Sequence, residues 1–200
     1  MDKTNADPIF RHFYWVIIVI KMLCMESSYA QMANVGRVAP ELELDNWLQS
    51  EPLQLKDLRG SVVLLRWWTH GCRFCENSAE ALNEFFDTYK NDDFIMIGIY
   101  HTKPYPSTIP AEILEIYVRK KHFKFPVAVD SGWKNLNKYW LEDGNKSFTS
   151  VSFLIDQLGK IAYIHEGGEY HRFEKNGHDQ CVSEYWELKN KIDQLLKNDP

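Results

Sequence analysis

The stretch from Val62 to Lys90 constrains the fold more than any other. Val62-Val63-Leu64-Leu65-Arg66-Trp67-Trp68 is an almost unbroken apolar run of strand length. Runs of this kind belong to strands covered on both faces. From Cys75 to Lys90 the period changes: Ala79, Leu82, Phe85, Phe86 and Tyr89 fall at steps of three and four, so one face of a helix packs inward. Phe94 to Tyr100 (FIMIGIY) is a second buried strand, and Ala111 to Lys121 a second helix with Ile113, Leu114, Tyr117 and Val118 on its inner side. The order strand, helix, strand, helix predicts a sheet with parallel neighbours and helices laid on it.

The rest of the chain adds to both edges. Glu41-Leu42-Glu43-Leu44 alternates, and Leu53, Leu55 and Leu58 recur beyond a polar turn at Gln49 to Pro52, which predicts a small hairpin in an N-terminal extension. Phe125 to Asp130 carries a third short strand and Trp133 to Trp140 a short helix. Val151 to Ile155 and Ile161 to His165 are strands joined by the turn Asp156-Gln157-Leu158-Gly159, so the sheet ends antiparallel. Val182 to Leu196 closes the chain as a helix. The expected fold class is α/β: a mixed central sheet flanked by helices, with an N-terminal strand extension.

With 200 residues, 44% of them hydrophobic, the chain suits one ordinary domain with some extension. Its net charge of -5 has the wrong sign for counterion-release binding to phosphates, which excludes nucleic acid as an expected partner. Phe13 to Met25 (FYWVIIVIKMLCM) is apolar except for Lys21 and shorter than a spanning helix of roughly 20 residues. Followed by Ser28-Tyr29-Ala30, it reads as a signal peptide over residues 1–30 cleaved after Ala30, or alternatively as a retained N-terminal anchor, with the domain proper over 31–200. Export is expected, and a membrane partner only if that segment stays.

Cleavage would leave Cys72, Cys75 and Cys181, an odd number that cannot close entirely into internal disulfides. The loop between Cys72 and Cys75 is too tight to add much chain-entropy stabilisation, which points to reactivity. Cys72-Arg73-Phe74-Cys75 stands between a buried strand and an amphipathic helix. At a helix start the first cysteine meets unsatisfied N–H groups and the positive end of the dipole, both favouring thiolate. The second lies one turn further in, placed to attack a mixed disulfide. Cys72 is therefore the expected nucleophile and Cys75 the resolving thiol.

Over about residues 35 to 170 the sequence resembles the thioredoxin-like, TlpA-like thiol–disulfide oxidoreductases, among them the thioredoxin-like module of DipZ-type proteins. The landmarks are Val38-Ala39-Pro40, Leu58-Arg59-Gly60, WWTHGCRFC, IMIGIY, FPVAVD and FLIDQLGKIAYIHEGGEY, in that order. The resemblance implies a thioredoxin-like fold, an exported and periplasmic location, and disulfide exchange with protein thiols and disulfides, with no cofactor and no metal.

Three positions depart from that family. Where its members carry a cis-proline before the strand matching Val151 to Ile155, this chain has Phe148-Thr149-Ser150, so a trans Thr149–Ser150 bond or a rebuilt loop is expected. That loop, with Phe74, is the expected partner contact, its backbone holding peptides by strand addition. Arg66 stands where thioredoxins have a buried Asp. The reading favoured is an edge-facing Arg66 paired with a carboxylate, since charges are seldom buried alone. The other aims it at the sulfurs, where it would favour the Cys72 thiolate. Glu80 replaces a proline that often kinks the family's helix, so a straighter helix is expected.

His70 and Arg73 are further candidates for raising the local potential, beside the reading of each as a solvated side chain. Trp67 and Trp68 are expected to divide between core packing and the rim of the site. A zinc reading has Cys181, His165, His171 and His178 to draw on besides the paired cysteines, but no second tight pair. The alternative to an enzyme is a copper carrier or binding module using Cys72 and Cys75 with His70 or His101.

Overall fold

The apolar runs pair as their lengths dictate. Strand β1 covers Asp45–Leu48, β2 Val62–Trp68, β3 Phe94–Tyr100, β4 Val127–Val129, β5 Ser152–Ile155 and β6 Ile161–His165. They form one six-stranded sheet in the order β1-β4-β3-β2-β5-β6. The pairs β2–β3 and β3–β4 are parallel, while β2–β5, β5–β6 and β1–β4 are antiparallel. The helices are α1 (Arg73–Tyr89), α2 (Ala111–Lys120), α3 (Lys134–Leu136) and α4 (Asp179–Lys197). This computed structural model describes residues 34–198 except 105, 106, 143, 145, 147, 175, 176 and 178. The expected leader, its cleavage point at Ala30 and His178 lie outside the described residues. Among the described residues no helix is long and apolar enough to cross a membrane.

Successive side chains of β2 point to opposite faces, so the sheet carries two apolar layers. Val62, Leu64 and Trp68 pack with Ala79, Leu82 and Phe85 of α1, Leu114 and Val118 of α2, and Tyr185, Leu188 and Ile192 of α4. Val63, Leu65 and Trp67 face the other way, onto Leu136, Tyr139, Trp140 and the extension residues Ala39, Leu42 and Leu55. Each large side chain so buried contributes about 1.5–3 kcal/mol. Both tryptophans are core residues: Trp68 stands edge-on to Tyr100 and Phe123, Trp67 edge-on to Phe153. Where β3 passes under this packing a side chain would not fit: a Cβ on Gly98 would lie 2.9 Å from Phe125 and 3.3 Å from the Trp68 indole nitrogen.

The predicted hairpin over Glu41 to Leu58 is not formed. Its first arm is held by single polar contacts instead: Glu41 accepts from the Leu55 amide at 3.0 Å, and Glu43 exchanges bonds with the Asn135 side chain. The strand lies further on, at β1, and pairs with β4. Leu55–Leu58 is a 3-10 turn. Ile113, expected inside, is exposed, and Leu114 and Val118 do the packing. The helix expected at 133–140 is three short pieces, Ser131–Trp133, α3 and the π-turn Asn137–Leu141. Buried Asp130 anchors them, accepting from the Trp67 indole, the Asn135 amide and side chain, and the Leu136 amide at 2.7–3.0 Å. The helix α1 runs unbroken past Glu80, as its residue type predicts.

Candidate active site

The turn Thr69-His70-Gly71 takes the chain from the end of β2 to the start of α1, with Gly71 in the left-handed region at φ +67°. Cys72 is the N-cap of α1 in extended geometry, and its carbonyl takes the first helical bond from the Glu76 amide at 3.0 Å. The helix start therefore points its free N–H groups toward the Cys72 side chain. Cys72 is half-buried and Cys75 buried, both as free thiols.

The two sulfurs are electrostatically unlike. The Cys75 thiol donates to the Cys72 sulfur, and this bond, the Cys75 amide, and the positive charges of Lys103 and Arg66 together lower the Cys72 pKa to about 6. The same bond, with burial, pushes the Cys75 thiol up. At neutral pH the outer sulfur is therefore largely thiolate, while the inner one keeps its proton.

Arg66 is not at an edge and has no carboxylate partner among the described residues, which corrects the favoured sequence reading. Alternation along β2 puts it on the same face as Val62, Leu64 and Trp68, toward α1, and it is fully buried at 0% exposure. Its guanidinium donates to the Ser150 carbonyl at 2.7 Å, the Ser152 hydroxyl at 3.2 Å and the Gly168 carbonyl at 3.0 Å, and lies 5.0 Å over the Tyr170 ring. The Nε has no hydrogen-bond partner. Neutral dipoles solvate this charge without cancelling it, so the Cys72 thiolate is the anion left to profit.

His70 is held by aromatic contacts: its ring stacks on Tyr117 at 4.7 Å and its Nδ1 bonds the Tyr100 hydroxyl. Arg73, the first residue of α1, is exposed. His101 is buried, and neither ring nitrogen has a hydrogen-bond partner. Among the described residues neither His70 nor His101 joins the two cysteines in a three-ligand cluster, so the copper reading gains no third ligand from them. Cys181 lies in the first turn of α4 instead of ahead of it.

The loop 148–150 closes over this end of α1. Its peptide before Ser150 is trans; among the described residues Lys103–Pro104 is the cis bond. Thr149 and Ser150 are buried, so the loop presents Phe148 outward. Phe148 and Phe74 meet edge to face at 5.7 Å while remaining 45% and 39% exposed, an apolar rim beside Cys72. Sequence reasoning brought together Cys72, Cys75, Phe74, Thr149 and Ser150, and reached Arg66 only by its second reading. It missed Lys103 and the carbonyl of Gly168, although Gly167-Gly168, one residue beyond a predicted strand, is a signal of close backbone approach.

A mixed sheet with paired cysteines at the start of a helix laid on it defines a protein of the thioredoxin-like fold. Solved structures share the fold: the thioredoxin-like superfamily protein SPOA0173 has a TM-score of 0.64 at 22% identity, covering 82% of this chain and 99% of that one. A thiol-disulfide isomerase from Corynebacterium glutamicum has a TM-score of 0.56 at 24% identity, covering 80% and 97%. The chain belongs to the AhpC/TSA family, whose sequence profile matches residues 35–164. Among its relatives, the thiol-disulfide oxidoreductase ResA of Bacillus anthracis is 30% identical over 132 residues, 64% of this chain and 67% of that protein. Protein DipZ of Mycobacterium tuberculosis is 29% identical over 151 residues, 70% of this chain but 20% of that protein, so the chain spans about a fifth of DipZ.

Proposed function

We propose that the chain is an exported enzyme that exchanges disulfides with protein partners through Cys72 and Cys75. The Cys72 thiolate attacks one sulfur of a partner disulfide, forming a mixed disulfide and expelling the other partner sulfur as a thiolate, which takes up a proton. Cys75 then gives up its proton and attacks the Cys72 sulfur. The Cys72–Cys75 disulfide forms, the second partner thiol leaves, and two electrons have passed from this chain to the partner. Run backward, the same steps oxidise a partner dithiol. The exposed Phe74–Phe148 rim supplies an apolar surface for a partner segment beside the attacking sulfur.

The observation that carries this reading is the opposed acidity of the two sulfurs within one helical turn. Export is supported by the apolar Phe13 to Met25 segment with small residues after it. The test is insulin reduction by the wild type and by Cys72→Ser. Turnover by the wild type and its loss in the variant are expected. Absent turnover together with stoichiometric copper retention would replace the enzyme by a carrier.

A further inference from the structure

We propose a second site, a cation site of the zinc class, formed by Glu169, His171 and Cys181 where the segment after β6 meets the first turn of α4. It uses neither Cys72 nor Cys75 and stands apart from the exchange reading.

One ligand atom from each of the three residues lies within 4.8 Å of the others. The Glu169 Oε1 is 3.9 Å from the His171 Nε2 and 4.0 Å from the Cys181 sulfur. A tetrahedral zinc with bonds of about 2.0–2.3 Å sets its ligand atoms roughly 3.3–3.7 Å apart, so side-chain adjustment of well under an ångström per atom closes the site. Carboxylate, imidazole and thiolate together suit zinc, whereas calcium and magnesium take oxygen ligands.

The histidine carries the argument further. His171 is only 2% exposed, and its Nδ1 donates to the Phe173 carbonyl at 2.6 Å. That bond occupies Nδ1 and leaves Nε2, which has no hydrogen-bond partner and lies 3.9 Å from Glu169, as the open ring nitrogen. A backbone carbonyl on one ring nitrogen and an open lone pair on the other is how metal-ligating histidines are held. The carboxylate is oriented as well: its second oxygen accepts from Asn77 of α1. On binding, Cys181 releases its thiol proton to solvent. The ion would then pin α4 and the segment after β6 to the helix that carries the reactive cysteines. Three protein donors leave a fourth position for water.

Zinc ion alone is the probe, titrated in competition with a chromophoric chelator against full-length protein carrying Cys72→Ser and Cys75→Ser, with cobalt as a spectroscopic stand-in. One equivalent of zinc, a thiolate-to-cobalt charge-transfer band and a zinc-dependent rise in melting temperature are expected. Adding Cys181→Ser should abolish the band and weaken zinc at least about tenfold, and His171→Ala should weaken it comparably. Cys181 is only partly buried, so its serine variant decides the question if His171→Ala fails to fold. No zinc uptake by the doubly substituted protein, or uptake unchanged by Cys181→Ser, would overturn the site.

Discussion

The Arg66 guanidinium donates to the carbonyl oxygen of Ser150 at 2.7 Å, across 84 positions of sequence. The central strand is thereby tied to the loop over the reactive helix by the same charge that favours the Cys72 thiolate. Replacing it with Arg66→Met keeps the length of the side chain and removes the charge. The pH midpoint of Cys72 alkylation by iodoacetamide should rise, and the pair should become less oxidising. Equilibration with glutathione should show a change of about tenfold, or about 30 mV for two electrons. An unchanged midpoint would confine Arg66 to a structural role.

The wild-type thiolate sets its own pH window. Because the Cys72 pKa is depressed from 9.0 to about 6, the reduced fold gains stability from this group between those values. The gain is complete above 9 and is lost as pH falls through 6. Alkylation of the folded protein should follow a single rise centred near pH 6, and the reduction potential should change slope there. A rise centred above pH 8 would contradict the account of the outer sulfur.

On the proposed reading the exposed Phe74–Phe148 pair serves docking and not the sulfur chemistry. Phe148→Ala should raise KM for a protein disulfide severalfold, since a truncated contact aromatic commonly costs about 1 kcal/mol or more. Reduction of a small aromatic disulfide that needs no docking should be nearly unaffected. Equal losses on both substrates would mean that Phe148 supports the site itself.

His101 should make the fold acid-sensitive. Burial, and then the Lys103 charge, lower its pKa from 6.5 to about 4, so the unfolded chain takes up a proton that the native one refuses. Stability is unaffected above 6.5 and falls as pH drops toward 4, by about 2–3 kcal/mol from this group. Urea unfolding at pH 7 and pH 4.5 should register the fall. His101→Phe should shrink it, leaving the parts that belong to Cys72 and to the buried His165, whose pKa is likewise lowered by burial; an undiminished pH effect in that variant would place the sensitivity elsewhere.

Local pattern made much of this legible. The runs at β2 and β3 coincide with strands because covered strands need side chains that are apolar on both faces. Cys72 and Cys75 could be placed together at a helix start because helix periodicity begins where they stand. Arg66 was not, because its acceptors come from a loop and a turn 84 and 102 residues away, and no rule of spacing places neutral oxygens around a charge. Lys103 escaped for the same reason: it acts through space from beyond β3. Glu41 to Leu44 misled because alternation records which faces are wet and dry, while a strand also needs a neighbour to pair with.

The amide of Tyr170 donates to the Ser78 hydroxyl in the middle of α1, Asn77 reaches Glu169, and Arg66 reaches Gly168. All three threads lead past residue 164, where the family profile stops. A recombinant fragment trimmed at that point would cut the reactive helix from its moorings and leave buried polar atoms dangling. Anyone grafting this cysteine-bearing module onto another protein should carry it through to the end of α4, however dispensable the tail looks from homology.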